Sequence, residues 1–319
     1  MARWKGMLYL FGAFSLAGTS VIAARFINGQ LGIFTTTAVS LFFALLCLLP
    51  LGWKELAKAV PHLTARDWIL FAVQALFGMF LFRMFLLYGL SRTSAGEAGI
   101  LTGATPAVTV LLAMLLLKET ISRAASLGIL STIGGILLMQ GLLTPGRDHA
   151  FSMEHLAGNI LVLLAAVSES LFNIFSRSAA VKSAAAERAP LHPLAQTTLV
   201  SAMALLLCVI PSLYERPLAS LAMIGWAQWL AIIWYGPFVT ALAFIFWYAG
   251  IKRCEASTAA ALSGMMPFTA LVLSVTVLGE NAGWLQWAGG LLVILGMVLI
   301  GVNPENAEKK AGSVEVLDS

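Results

Sequence analysis

Charge is what this sequence has least of. Only 11% of its 319 residues are Asp, Glu, Lys or Arg, whereas 60% are hydrophobic. A soluble domain carries about 25% charged residues, and a chain this long without them cannot cover its surface with polar side chains. An ordinary water-soluble fold is excluded. Cysteine is scarce too: Cys47, Cys208 and Cys254 sit apart, with no C-x-x-C pair, so free thiols are expected, without disulfides or zinc. His62, His149, His155 and His192 fall in segments read as loops and form no ligand cluster, so no metal is expected. The chain has no G-x-x-x-x-G-K-[ST] phosphate loop, so it holds no ATPase of its own, and any transport must use a gradient, exchange or facilitated diffusion. No cofactor is implied. The net charge of +4 is spread too thinly to make a nucleic-acid surface.

Long apolar runs are what the chain has instead. A hydrocarbon core about 30 Å thick needs about 20 apolar residues in a helix. Ten such runs fall near 7–27, 31–53, 68–90, 94–117, 123–143, 157–179, 193–214, 226–250, 256–278 and 283–302. Arg3 and Lys5 before the first run resemble a signal peptide, but the second run follows at once, so the first is read as a retained helix. With the N-terminus in the cytoplasm, fourteen Lys and Arg fall on that side and only Arg25, Arg92, Arg147 and Arg216 on the other. Arg83, inside a run, completes the nineteen. The bias predicts that both termini are cytoplasmic. Residues 303–319, polar and charged, are expected to be a disordered tail.

The chain also resembles itself at an offset of 161 residues. Gly89, Arg92, Ala95, Ala98, Gly103, Pro106, Leu117, Glu119, Gly128 and Gly135 match Gly250, Arg253, Ala256, Ala259, Gly264, Pro267, Leu278, Glu280, Gly289 and Gly296. Five spans per copy is an odd number, so the second copy enters the membrane from the opposite side, an architecture that puts a substrate site near the midplane. The expected fold is all-α: ten transmembrane helices in two inverted repeats, residues 1–143 and 157–302, joined by 144–156. Gly99-x-x-x-Gly103, and Ala260 with Gly264, put small residues on one helix face for close packing. Pro106 and Pro267 each free a carbonyl four residues earlier, at Thr102 and Ser263, giving either a kink or a break beside a cavity. Glu119 and Glu280, just before the fifth and tenth spans, suit helix N-termini.

The stretch Ser91-Arg-Thr-Ser-Ala-Gly-Glu-Ala98, then Pro106, Leu117-Lys-Glu-Thr120, Gly128 and Gly134-Gly135, resembles the EamA repeat of the drug/metabolite transporter superfamily. Arg253 to Ala259, Pro267, Leu278-Gly-Glu280 and Gly289 to Gly296 are similar to the same pattern, and the resemblance covers roughly 7–302. It implies a ten-helix carrier in a bacterial inner membrane, exporting amino acids or other small metabolites by alternating access. One departure is Ser40, where many members have an arginine.

Ionisable groups inside a membrane are costly and mark functional candidates. Glu169 lies mid-span with Asn173 one turn on. It is a candidate to bind a substrate ammonium or to carry a proton, the alternative being an acid satisfied by an arginine or hydroxyls. Arg83 is a candidate to grip a substrate carboxylate, or else pairs with Glu97 or Glu169. Its repeat mate is Phe244, so this charge is outside the repeated scaffold. Glu97 is expected to reach the interface or pair with Arg92. Aromatic side chains crowd the third and eighth spans, most as belts or packing, with Tyr235 and Trp247 as candidate cavity walls. Thr19, Ser20, Thr102, Thr105, Asn173 and Ser263 are the candidate polar contacts.

The sequence therefore points to a secondary exporter of small organic metabolites, amino acids leading, with no enzymatic activity. A multidrug or cationic-compound exporter, a passive channel and a membrane enzyme are the alternatives. For the last, His62-x-x-x-x-Asp67 has an acyltransferase spacing, but it stands alone in a short loop and is read as chance. The expected partners are a small-molecule substrate and the lipid bilayer, and the expected assembly a monomer or weak dimer.

Overall fold

A computed structural model describes residues 2–117, 121–139, 153–185, 191–251, 253 and 262–301. Glu119, His149, Cys254, Ala256, Ala259, Ala260 and the tail 303–319 lie outside the described residues. Among those described, eight helices are long and apolar enough to cross a membrane, and two apolar helices are shorter. In chain order they are α1 (Trp4–Ile27), α2 (Ile33–His62), α3 (Ala65–Leu90), α4 (Ala95–Leu116), α5 (Arg123–Met139), α6 (Met153–Phe175), α7 (Pro193–Tyr214), α8 (Trp226–Trp247), α9 (Met265–Thr276) and α10 (Trp284–Gly301). No named strand occurs among the described residues. Apolar surroundings offer backbone groups no water, so helices that bond internally are the economical structure for such runs.

Local chemistry sets where several helices start. Thr64 caps α3 reciprocally: Asp67 Oδ2 accepts from the Thr64 amide at 2.8 Å, and the Asp67 amide donates to the Thr64 hydroxyl at 3.4 Å. The cap gives Asp67 a structural role. One histidine read as a loop residue is not in a loop: His155 lies in the first turn of α6. His192, outside the helix as expected, caps α7, its Nδ1 accepting from the Leu194 amide at 3.3 Å.

Apolar side chains from eight helices, among them Val21, Leu86, Ile100, Val162, Ile232 and Val293, form the main buried cluster. Others, such as Leu46, Leu130, Leu206, Ile210 and Leu291, stay exposed on the outer faces. Trp53, Tyr214, Trp226 and Trp284 are exposed near helix ends, where amphipathic rings suit a membrane interface.

Glycines decide the closest approach. A Cβ at Gly135 would lie 2.6 Å from the Gly289 carbonyl oxygen, and one at Gly128 equally close to that of Gly296. α5 and α10 therefore pack backbone to backbone, using residues that match at the sequence offset. A Cβ at Gly99 would overlap Ala270, and one at Gly103 would come within 2.8 Å of Val293. The small-residue face of α4 is thus occupied by α9 and α10. At Pro106 the structure has a break: the helix stops at Thr102, turns through Gly103 and Ala104, and resumes at Thr105. The carbonyl freed at Thr102 accepts from the Thr105 hydroxyl at 2.8 Å. A turn at Gly264, before Pro267, breaks the corresponding run.

Candidate functional site

α3 and α8 each change winding where the interior becomes polar. Leu76–Leu81 in α3 and Trp234–Leu242 in α8 are π-helical, a geometry that recurs at functional sites. Both stretches end on residues that match at the 161-residue offset, Leu81 and Leu242. Five-residue turns bring Thr240 over Tyr235, whose carbonyl accepts the Thr240 hydroxyl at 3.0 Å.

Arg83 follows the π-helical stretch of α3 and is only 5% exposed. Its Nη1 donates to the Ser40 hydroxyl of α2 at 2.9 Å, and its Nη2 to the Thr240 hydroxyl of α8 at 2.5 Å. The guanidinium carbon lies 4.6 Å from the centre of the Tyr235 ring, a cation–π contact. Neither Glu97 nor Glu169 is its partner. No carboxylate faces Arg83 among the described residues, so its charge is held by hydroxyl dipoles and one ring face alone.

Glu169 of α6 meets the break in α4. Its Oε2 accepts from the Thr105 hydroxyl at 2.9 Å, and the next residue, Ser170, donates to the Thr105 carbonyl at 3.0 Å. No cation pairs with it among the described residues. Gly78 and Gly89 let α3 lie against Phe172 and Val162 of α6, so Arg83 and Glu169 stand on touching helices but bond to different neighbours.

The other candidates are dispersed. Tyr235 joins Arg83, while Thr105 and, through its carbonyl, Thr102 join Glu169. Thr19 bonds instead to the Trp234 indole at 2.8 Å, and Ser20 beside it is buried. Trp247 packs edge-on against Phe244, and Asn173 and Ser263 are half-buried. Sequence reasoning missed Thr240 and Gln74. Gln74 is fully buried, and its Nε2 has no partner among the described residues. It borders a void of about 10 Å³ with Thr197, Phe172 and Phe244, space for a single water. An uncharged residue on an apolar run gives no signal for either one.

One end of the bundle is tied by carboxylates. α2 starts at Gly32, which has no side chain to cap it, and Glu215 after α7 supplies the carboxylate: it accepts from the Phe34 and Thr35 amides at 3.2 and 2.7 Å. Glu280 accepts from the Ala95 and Gly96 amides at 2.8 and 2.9 Å. It therefore caps α4, not the helix that follows it, because at the start of α10 Gln286 already accepts from the Gly283 amide at 3.0 Å. Glu97 does not pair with Arg92. It meets His155 at 2.6 Å and Gln286 at 3.1 Å, joining α4, α6 and α10. Glu280→Ala is expected to cost about 1–3 kcal/mol, the worth of two charge-assisted amide contacts. The midpoint of thermal unfolding in detergent reads it, and an unchanged midpoint counts against the capping role.

Among the described residues no group of His, Cys, Asp and Glu is placed to hold a metal. Among the described residues the interior presents the Arg83 guanidinium and the Glu169 carboxylate, each facing hydroxyls.

Comparison with known proteins identifies the family. The model of the EamA-like transporter family matches residues 4–140 and, a second time, 156–302. The chain is 29% identical over 291 residues to an uncharacterized transporter of Bacillus subtilis, YetK, covering 90% of this chain and 84% of that one. It is 28% identical over 229 residues to a protein of Ancylobacter novellus named as the aromatic amino acid exporter YddG, covering 72% and 73%. A probable terminal-alkyne amino-acid exporter of Streptantibioticus cattleyicolor is 25% identical over 236 residues, covering 74% of each chain. A solved crystal structure, 21% identical, shares the fold with a TM-score of 0.60 over 93% of this chain and 96% of that one. With both halves matched by one family model and helices apolar enough to cross a membrane, this chain belongs to the EamA-like transporter family and is a multi-pass membrane protein.

Proposed function

We propose that the chain is a secondary exporter of small organic metabolites, amino acids first among them, working by alternating access in a bacterial inner membrane. In this reading it has ten spans in two inverted repeats, 1–143 and 157–302, with both termini cytoplasmic. The observation that carries the substrate class is Arg83: a permanent charge buried against Ser40, Thr240 and Tyr235 with no carboxylate opposite it among the described residues. Burying such a charge is expensive, and a substrate carboxylate is the group that would complete it. Two relatives bear the names of amino-acid exporters, which supports the same class. The π-helical turns of α3 and α8 and the breaks at Pro106 and Pro267 are the places where the backbone has a second register to adopt. Glu169 is the proton-coupling candidate.

The test is counterflow of labelled amino acids into proteoliposomes of the purified protein, which detects exchange whatever the driving force. Saturable accumulation of one class is expected. Glu169→Gln is expected to keep counterflow and lose flux driven by a pH gradient, whereas equal loss of both would place Glu169 in substrate binding. Flux that rises without saturation would mean a channel, and exchange confined to cationic drugs would replace the amino-acid assignment.

A further inference from the structure

We propose that the carboxylate-tied end of the bundle carries a second binding site, for a zwitterionic small molecule of the amino-acid type, separate from the Arg83 and Glu169 interior. A cavity of about 400 Å³ opens there, between the end of α1, the turn from α3 to α4 and the first turn of α6. That volume is in the range of small-molecule sites. Arg25, Arg92 and Glu154 bring its charges, and His155, which meets Glu97 at 2.6 Å, lines it too. Arg25 is fixed to the wall, donating through Nη1 to the Leu90 carbonyl at 2.6 Å. Arg92 and Glu154 line the same cavity and have no ion-pair partner among the described residues, each other included.

A guanidinium and a carboxylate held apart across one cavity fit a molecule that carries both opposite charges. Its carboxylate meets Arg92 and Arg25, and its ammonium meets Glu154. The Ser94 hydroxyl accepts from the Glu97 amide at 3.2 Å, and its own hydrogen can go to the bound carboxylate. A simple anion would face Glu154 and a simple cation would face two arginines, so both are disfavoured. The sequence adds an independent argument. Arg25 and Arg92 are two of only four basic residues assigned to the outer side. Basic residues there run against the orientation signal, which is consistent with their serving the cavity. The site's outward position rests on the orientation proposed above, but its ligand chemistry does not. In that orientation the cavity holds the exported molecule as it leaves.

The test uses the full chain in detergent micelles and saturation-transfer NMR with L-alanine, propionate and ethylamine. L-Alanine is expected to bind, and Arg92→Gln and Glu154→Gln are each expected to weaken it about two- to fivefold, the worth of one exposed ion pair. Propionate and ethylamine should compete about two- to fivefold more weakly than alanine, the same single-pair difference. In Arg83→Met the component sensitive to Arg92 should persist. Wild-type binding in both Arg92→Gln and Glu154→Gln overturns the proposal, as does propionate competing as well as alanine, or loss of all binding in Arg83→Met. If counterflow fails while alanine binding still depends on Glu154, the exporter reading falls and the vestibule site stands.

Discussion

Arg83→Met is expected to lower counterflow of a carboxylate substrate about a hundredfold while leaving the thermal midpoint unchanged or raised. The two effects separate because Arg83 has no carboxylate partner among the described residues, only the hydroxyls of Ser40 and Thr240 and the face of Tyr235. An apolar side chain of similar length removes the cost of burying a lone charge and leaves two hydroxyls that have local carbonyls to use. Ser40 donates to Thr37 and Thr240 to Tyr235, at 2.9 and 3.0 Å. Replacing a buried charge by a well-packed apolar group is often neutral or stabilising. Substrate binding, by contrast, loses a charge-assisted contact worth about 3 kcal/mol in a desolvated site, which is roughly a hundredfold. Arg83→Lys keeps the charge but not the planar fork that reaches α2 and α8 together, so an intermediate loss, about tenfold, is expected. Initial counterflow rates and unfolding in the same detergent decide between binding and scaffold. A lowered midpoint with unchanged exchange makes Arg83 a strut between α2, α3 and α8.

A large effect on stability is expected at the contact between α5 and α10. In Gly135→Ala the new methyl sits 2.6 Å from the Gly289 carbonyl oxygen and 3.0 Å from Leu292 and Val293. The first of these is backbone and cannot rotate away, so the helices must separate, at a cost of about 1–3 kcal/mol. Gly128→Ala meets the Gly296 carbonyl in the same way. Both clashes push the same two helices apart, so the double variant should cost less than the sum of the two. Gly134→Ala is the internal control, because a Cβ there has nothing within 4 Å. Relief of glycine's backbone entropy should make it neutral or stabilising by up to about 1 kcal/mol. Unfolding midpoints of the three variants test this, and a midpoint for Gly135→Ala no lower than for Gly134→Ala would mean that the close approach is not structural.

Several of these features are legible in the chain without coordinates. Gly128 and Gly135 match Gly289 and Gly296 by offset alone, and those residues touch across α5 and α10. Arg83 and Glu169 stand out as charges in apolar runs, because the membrane makes such residues rare. Other features are not legible. Ser40 is conspicuous only as a departure from a resemblance, and Thr240 is not conspicuous at all, yet these two hold Arg83. An ordinary helix does not put Thr240 over Tyr235. The five-residue turn does, and no residue type announces it. The sequence marks Glu280 as a capping carboxylate but points to the wrong helix, since capping chemistry names the donor group and not which N-terminus is near. Sequence proximity pairs Glu97 with Arg92, but the carboxylate meets His155 and Gln286, which lie 58 and 189 residues away.

The sequence by itself determined an all-helical membrane chain, the places where proline disturbs a helix, and the charges that the interior has to accommodate. These follow from hydrophobicity, backbone hydrogen bonding and the cost of burying charge, all properties of one segment at a time. Only the tertiary structure decided the partners: hydroxyls and a ring for Arg83, the broken turn of α4 for Glu169, and an open cavity for Arg92 and Glu154. Spacing along a helix fixes which face a side chain occupies, but the neighbour across that face is set by how the helices pack.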